Sequence, residues 1–454
     1  MPQPKINVRA PEKRIRSFQE VSLGVSKNQA LDEARRCPQC ANPTCMEGCP
    51  LGIDIPGFIR HIRENEPRQA LARIREKNML SAICGRLCPA PCERACVFYE
   101  DGAPIAIRAL ERYAADYGQA RLPARSSPVS QKKVAVVGSG PTGLSAAAHL
   151  AHLEYGVTIF ESFPAPGGVL RQGVPEFRLP RKVLDSEIDF MESLGIEIKT
   201  NVLAGQTAGL GEILGLGYSA ILLALGAGTP KFLDIPGTNL GGVYYAEEFL
   251  LQLNLLAGGR LFREEFPLPV GDRVVVVGGG YAALDCSRMA RRLGKEAIVV
   301  FHRTQDEMEA RIEEREYARE EGVRLEPLVN PIEILGDDRN WVAGLKCTRL
   351  DFANPQESGA WQLVPVPESE FVLEADTLII AVGHQPNSAI IKKTPNLKVN
   401  PDGTIYTNPE NRMTSMAGVF AAGPIARGPT SVVEAMAEGK KVAEQMDQYL
   451  KGRG

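Results

Sequence analysis

Eight of the ten cysteines lie between Cys37 and Cys96, in two runs. The first is Cys37-x2-Cys40-x4-Cys45-x3-Cys49-Pro50 and the second is Cys84-x3-Cys88-x3-Cys92-x3-Cys96. In a reducing compartment such crowding reads as metal binding rather than as disulfides. Iron–sulfur cubanes are held by thiolates on tight turns, with three closely spaced cysteines and one remote one wrapping a cluster while the fourth local cysteine serves the next. Two 4Fe-4S clusters are the expectation. A pair of zinc sites is the alternative, but zinc favours paired C-x2-C units and neither run supplies two. The spacing does not say which cysteine serves which cluster.

Two glycine-rich turns offer a second kind of chemistry. VAVVGSGPTGLSAAAHLAHLEYGVTIFE reads as a strand, a turn with Gly138, Gly140 and Gly143, a helix, and a strand ending in Glu161. Such a turn lets backbone approach a pyrophosphate at a helix N-terminus, while the acid at the second strand end accepts hydrogen bonds from a ribose diol. VVVVGGGYAALDCSRMARRLGKEAIVVFHR repeats the design with Gly278, Gly280 and Ala283, and ends in His302-Arg303. An acid there would repel a ribose 2′-phosphate, whereas Arg303 can bind one bidentately, which favours NADPH over NADH.

Other chemistries lack their residues. No cysteine pair follows the first glycine-rich turn, which argues against dithiol reduction, and the chain starts Met1-Pro2 rather than with the N-terminal cysteine of a glutamine amidotransferase. The five histidines form no hydrolytic pattern, and a net charge of −3 argues against a nucleic-acid partner. No run approaches the ~20 apolar residues that span a bilayer, and MPQPKINVRAPEKR has no apolar core of a secretory signal. A cytoplasmic protein without a membrane partner is expected.

The elements that must position these residues follow from pattern. A chain of 454 residues exceeds one core and should divide. FIRHIRENEPRQALARIREKN carries apolar positions at spacings of three and four, so the cysteine-bearing part should be helical. The Pro/Ser-rich stretch LPARSSPVSQKK reads as a linker. The expected units are a helical domain over 1–125, a first dinucleotide-binding part over 126–260, a second dinucleotide-binding domain over 261–370, and a return to the first over 371–454. In this reading TLIIAVG and GVFAAG both complete the first domain, with SVVEAMAEGKKVAEQMDQYL as a closing helix. The fold class is α/β: a helical iron–sulfur domain followed by two Rossmann-like domains, the second inserted in the first.

CPQCANPTCMEGCPLGIDIPGFI, CGRLCPAPCERAC and PIAIRALERY resemble the N-terminal domain of the glutamate synthase small (β) subunit family. That family includes the large subunit of the NADH-dependent ferredoxin:NADP oxidoreductase, and the same stretches resemble the N-terminal part of dihydropyrimidine dehydrogenase. The resemblance implies one cluster on Cys37, Cys40, Cys45 and Cys96, and a second on Cys49, Cys88 and Cys92 with Glu111 as a non-cysteine ligand. It leaves Cys84 as a buried thiol. PAPGGVLRQGVPEFRLP, with Gly168, and LLALGAGTPKFLDIPG resemble the family's flavin-binding stretches and imply FAD at the first turn. Relatives carry an Asp after FAAG that bonds the flavin's ribityl chain; here Gly423-Pro424 stands instead, and Pro424 brings neither a carboxylate nor a backbone donor.

The function implied is electron input: NAD(P)H reduces FAD by hydride, and the clusters relay single electrons onward. The partner implied is a second redox subunit, either a glutamate synthase large subunit or the small flavoprotein subunit of a ferredoxin:NADP transhydrogenase, or else ferredoxin. A stand-alone oxidoreductase and a non-catalytic iron–sulfur scaffold are the alternatives.

Overall fold

A computed structural model describes residue 4 and residues 6–118, 130–257, 268–353, 362–387 and 389–452. The linker read at LPARSSPVSQKK, and the boundaries expected at 125/126 and 260/261, fall largely or wholly outside these residues.

The cysteine-bearing part is helical. Lys27–Arg36 is opened by a capping box between Ser26 and Gln29, and Ile55–Arg63 by Asp54, which accepts from the Gly57 N–H at 3.0 Å. The charged stretch splits into two helices because Glu64–Glu66 breaks the register and Pro67, lacking an N–H, starts Pro67–Arg75. Ser81–Leu87 and Ile107–Tyr117 complete the bundle, and their apolar faces merge with the first dinucleotide unit in one core.

Each glycine-rich turn sits at the centre of its own parallel sheet. The first sheet runs, in order, Val419–Ala421, Ala220–Leu223, Lys133–Val137, Gly156–Phe160 and Glu197–Lys199. The second runs Val323–Pro327, Glu296–Phe301, Arg273–Val277, Thr377–Ile380 and Val243–Tyr245. A smaller antiparallel sheet, Val329–Gly336 with Val342–Ala353, Gln362–Pro365 and Phe371–Glu374, extends the second unit. The helix Val432–Lys451, capped by Ser431, lies on Pro141–His152, where Gly439 lets the two approach closely.

Two expected assignments change. Thr377–Ile380 of TLIIAVG pairs with Arg273–Val277 in the second sheet, not in the first, and Val243–Tyr245 with its helix Ala246–Ala257 also belongs to the second unit. The inserted unit therefore begins before residue 243 and ends after residue 380. Only Val419–Ala421, in GVFAAG, returns to the first sheet. The chain crosses between units through a paired bridge, Thr229–Pro230 antiparallel to His384–Gln385.

Ion pairs hold the three parts against each other. Arg178 of the first unit reaches Asp285 of the second at 2.7 Å, and Arg14 of the N-terminal part reaches Glu320 at 2.7 Å. Within the second unit Arg288 pairs with Glu314 at 2.6 Å and Glu321 at 2.9 Å, while Arg292 reaches both Glu321 and the Ser17 carbonyl. Arg288 and Glu321, both buried, persist as charges because each is paired with two partners.

Candidate functional site: two cysteine centres and two nucleotide turns

Cys37 ends the helix Lys27–Arg36, Cys45 lies on the short helix Thr44–Glu47, and Cys96 follows Pro91–Arg94. With Cys40 they line one pocket, walled by Ile59 and Ile105. All four are half-buried. Backbone and amide donors already face the sulfurs: Ile105 N–H lies 3.5 Å from Cys96 Sγ and Gln39 Nε2 3.5 Å from Cys37 Sγ. Burial pushes the Cys45 thiol up to about 11, with the charges of Cys37, Cys96 and Cys40 adding to it. Four cysteines gathered on one pocket, with the Cys37 and Cys45 thiols held against ionisation, form a donor set suited to a cationic iron–sulfur core, which would relieve that opposition.

The other cysteines converge deeper. Cys88 caps Ser81–Leu87, Cys92 lies on Pro91–Arg94, and both are buried, with Cys49 half-buried beside them. Ala90 N–H points at Cys88 Sγ from 3.3 Å. Glu111, on Ile107–Tyr117, is 5% exposed and faces this group. Burial, and then the neighbouring Cys88 sulfur, push its carboxyl up to about 8, while a 2.7 Å hydrogen bond from Asn78 Nδ2 works the other way. Cys84 is brought into the same place: its thiol lies close enough to Cys88 and Glu111 to bear on their ionisation. Cys92 is pushed up by burial and by Glu93, whereas Cys88 is lowered, first by the neighbouring Cys84 thiol and further by the Ala90 N–H, Arg108 and Arg311. Five donors thus meet where a four-ligand centre was expected.

At the first nucleotide turn Gly138 has φ +105°, and Gly140 caps the helix with nothing within 4 Å of where a Cβ would stand. That open space is what a pyrophosphate needs. A side chain at Gly143 would strike the Gly138 carbonyl, one at Gly168 would lie 2.8 Å from Gly140 Cα, and one at Gly423 would meet Thr142 Oγ1. Glu161 is buried, and its carboxylate accepts from Ser139 N–H at 3.0 Å, from the Ser139 hydroxyl, and from Phe163 N–H at 2.9 Å. Pro424 is the first residue of the short helix Pro424–Arg427, where a missing N–H is tolerated. At the second turn Gly278 has φ +140°, Gly280 caps Tyr281–Arg292, and Ala283 is fully buried. His302 and Arg303 stand exposed just past Glu296–Phe301.

Sequence reasoning missed three polar residues of the deeper centre, Asn78, Arg108 and Arg311. Arg108 alone had a local cue, a charged residue within the otherwise buried run of its helix, while Arg311 comes from the second nucleotide unit.

Known proteins share this architecture. Residues 132–439 match the pyridine nucleotide-disulphide oxidoreductase family, and residues 14–122 match dihydropyrimidine dehydrogenase domain II, 4Fe-4S cluster. The NADP(+)-dependent formate dehydrogenase subunit beta of Moorella thermoacetica is 36% identical over 90% of this chain and 60% of its own length. This chain therefore spans less than two thirds of that relative. The glutamate synthase (NADPH) small chain of Mycobacterium tuberculosis is 34% identical over 97% of this chain and 92% of its own. FprA from Mycobacterium tuberculosis, in its His57Gln form, shares the fold at a TM-score of 0.57 and 20% identity, over 71% of this chain and 85% of that one. With an iron–sulfur domain ahead of two nested dinucleotide units, the chain belongs to the glutamate synthase small-chain family of pyridine nucleotide oxidoreductases.

Proposed function

We propose that this chain is an electron-input subunit that binds FAD at the first glycine-rich turn, NADPH at the second, and two 4Fe-4S clusters in the N-terminal domain. The observation that carries the reading is the order of exposure: Cys88 and Cys92 are buried, while Cys37, Cys40, Cys45 and Cys96 line a pocket that opens toward the surface. When bound, the flavin accepts a hydride from NADPH and the clusters pass electrons on singly. Cys37, Cys40, Cys45 and Cys96 would hold the outer cluster, and Cys49, Cys88, Cys92 and Glu111 the inner one. Gly140 leaves room for the FAD pyrophosphate, Glu161 orders the turn around it, and Gly423 lets the start of Pro424–Arg427 pack against Thr142. Arg303 would receive the 2′-phosphate of NADPH. Delivery from the outer cluster goes to a second redox subunit or to ferredoxin, with a glutamate synthase large subunit the partner that the family resemblance supports.

Addition of NADPH to anaerobic protein tests this reading: the flavin absorbance should bleach. Arg303→Ala should weaken NADPH use by about 1.5–3 kcal/mol, the size of a charge-assisted hydrogen bond, and leave NADH use little changed. An unbleached flavin would refute the input role, and a wild type that prefers NADH would refute the assignment of Arg303.

A further inference from the structure

Arg311 belongs to the second nucleotide unit yet spends its guanidinium on the inner cysteine centre. It stands at the N-cap of Ile312–Glu320. Nη1 donates to the Cys88 carbonyl at 3.1 Å, and Nη2 donates to the Arg86 carbonyl at 3.4 Å and to Glu314 Oε1 at 3.0 Å. The contact joins residues 223 positions apart in sequence. Its other end is tied to the nucleotide turn. The Arg311 backbone N–H lies 3.3 Å from the hydroxyl of Tyr281, the first residue of the helix that Gly280 caps. Two residues earlier, Glu309 Oε2 lies 3.8 Å from where a Cβ on Gly280 would stand. Arriving pyrophosphate therefore meets a carboxylate on the segment that holds Arg311.

We infer that Arg311 couples occupancy of the second nucleotide turn to the reduction potential of the inner cluster, an inference that rests on the assignment of that cluster above. A cation beside a ligating cysteine favours the more negative, reduced cluster and raises its potential. Repulsion between pyrophosphate and Glu309 draws the segment, and Arg311 with it, away from Cys88. Nucleotide binding then lowers the potential. Arg108 and Glu93 face the same centre from the iron–sulfur domain, where Glu93 accepts from the Arg108 N–H, and Arg108 also reaches Glu313 at 3.6 Å on the helix that Arg311 caps, so displacement of that helix loosens this second cation's tie as well.

The test is an anaerobic redox titration of the full chain followed by electron paramagnetic resonance, with and without 2′-phospho-ADP-ribose, which keeps the phosphates of NADP and lacks the redox-active ring. In the wild type this probe should make the inner cluster roughly tenfold harder to reduce, about 59 mV for a one-electron couple. Arg311→Met should start from the lowered potential and respond no further, and Arg311→Lys, which keeps the charge, should recover most of the wild-type value. Iron content and the presence of two reduced-cluster signals are read first, and absence of the inner signal in the wild type overturns the cluster assignment and this inference together. With both signals present, a wild-type midpoint that ignores the probe overturns the coupling alone. So does an Arg311→Met midpoint equal to that of the wild type. Should Arg311→Met fail to assemble, the wild-type response and Arg311→Lys still decide.

Discussion

The two cysteine centres use the same side chain in opposite surroundings. Around Cys37, Cys40, Cys45 and Cys96 the walls are aliphatic and the polar contacts are weak N–H to sulfur bonds at 3.5 Å. Around Cys88 and Cys92 the chain places Glu111, Asn78 and Arg108, all buried, and Arg311, whose side chain is 11% exposed. Water can screen a charge that changes at the surface, but a buried charge must be answered by fixed groups. The difference teaches that the inner centre is tuned by the protein, whereas the outer one is left to solvent and to whatever docks on it.

The largest expected effect separates the centres by iron. Anaerobic wild type should carry about eight iron and eight sulfide, and Cys45→Ser or Cys92→Ser should each lose about half. The oxidant ferricyanide should erase the outer signal before the inner one, because all four outer cysteines are half-buried whereas Cys88 and Cys92 of the inner set are buried. Stoichiometric zinc without acid-labile sulfide, or equal rates of loss, would abolish the contrast.

A stability effect comes next. Glu187, on Arg181–Ser193, is 1% exposed and accepts from Ala82 N–H at 3.1 Å on the helix that leads to Cys84 and Cys88. Burial raises its carboxyl to about 7 despite Arg75. The folded state thus holds this proton more tightly than the unfolded chain. Its contribution is full below about pH 4.5 and is lost as pH rises through about 7. Glu187→Gln cannot ionise, so its stability relative to wild type should improve on the order of 3 kcal/mol between pH 5 and pH 8. Melting temperatures of the two proteins at those pH values check this, and a pH-independent difference would refute it.

The smallest effect decides among the five inner donors. Glu111→Gln should keep the iron and raise the inner potential by roughly tenfold in the reduction equilibrium, since an amide leaves less negative charge than a carboxylate. Cys84→Ser should leave both clusters in place. A cluster lost in Cys84→Ser and unchanged in Glu111→Gln would make Cys84 the ligand.

What the sequence discloses is what is local. The cysteine runs, the two glycine-rich turns and the capping signals each reside within one short segment, and Gly140 and Gly143 meet in the structure the constraints that their spacing implies. Arg311 was illegible because its partner carbonyl belongs to Cys88, far back in the chain. TLIIAVG was assigned to the wrong sheet for a related reason. A buried parallel strand is an apolar run whichever sheet receives it, so Thr377–Ile380 and Val419–Ala421 announce themselves as strands without an address. The neighbour of Thr377–Ile380 is chosen by packing against Arg273–Val277, which no residue within the strand encodes.

The paired bridge of Thr229–Pro230 and His384–Gln385 sets the two ends of the inserted unit side by side. To the host unit, whose strands Ala220–Leu223 and Val419–Ala421 pair directly, everything between is one long closed loop. Closing such a loop grows harder only with the logarithm of its length, about 0.6 kcal/mol for each doubling. An ancestral gene could therefore gain the second unit whole, and descendants can lengthen or trim its antiparallel extension, while the strand pairing of the first sheet stays in register.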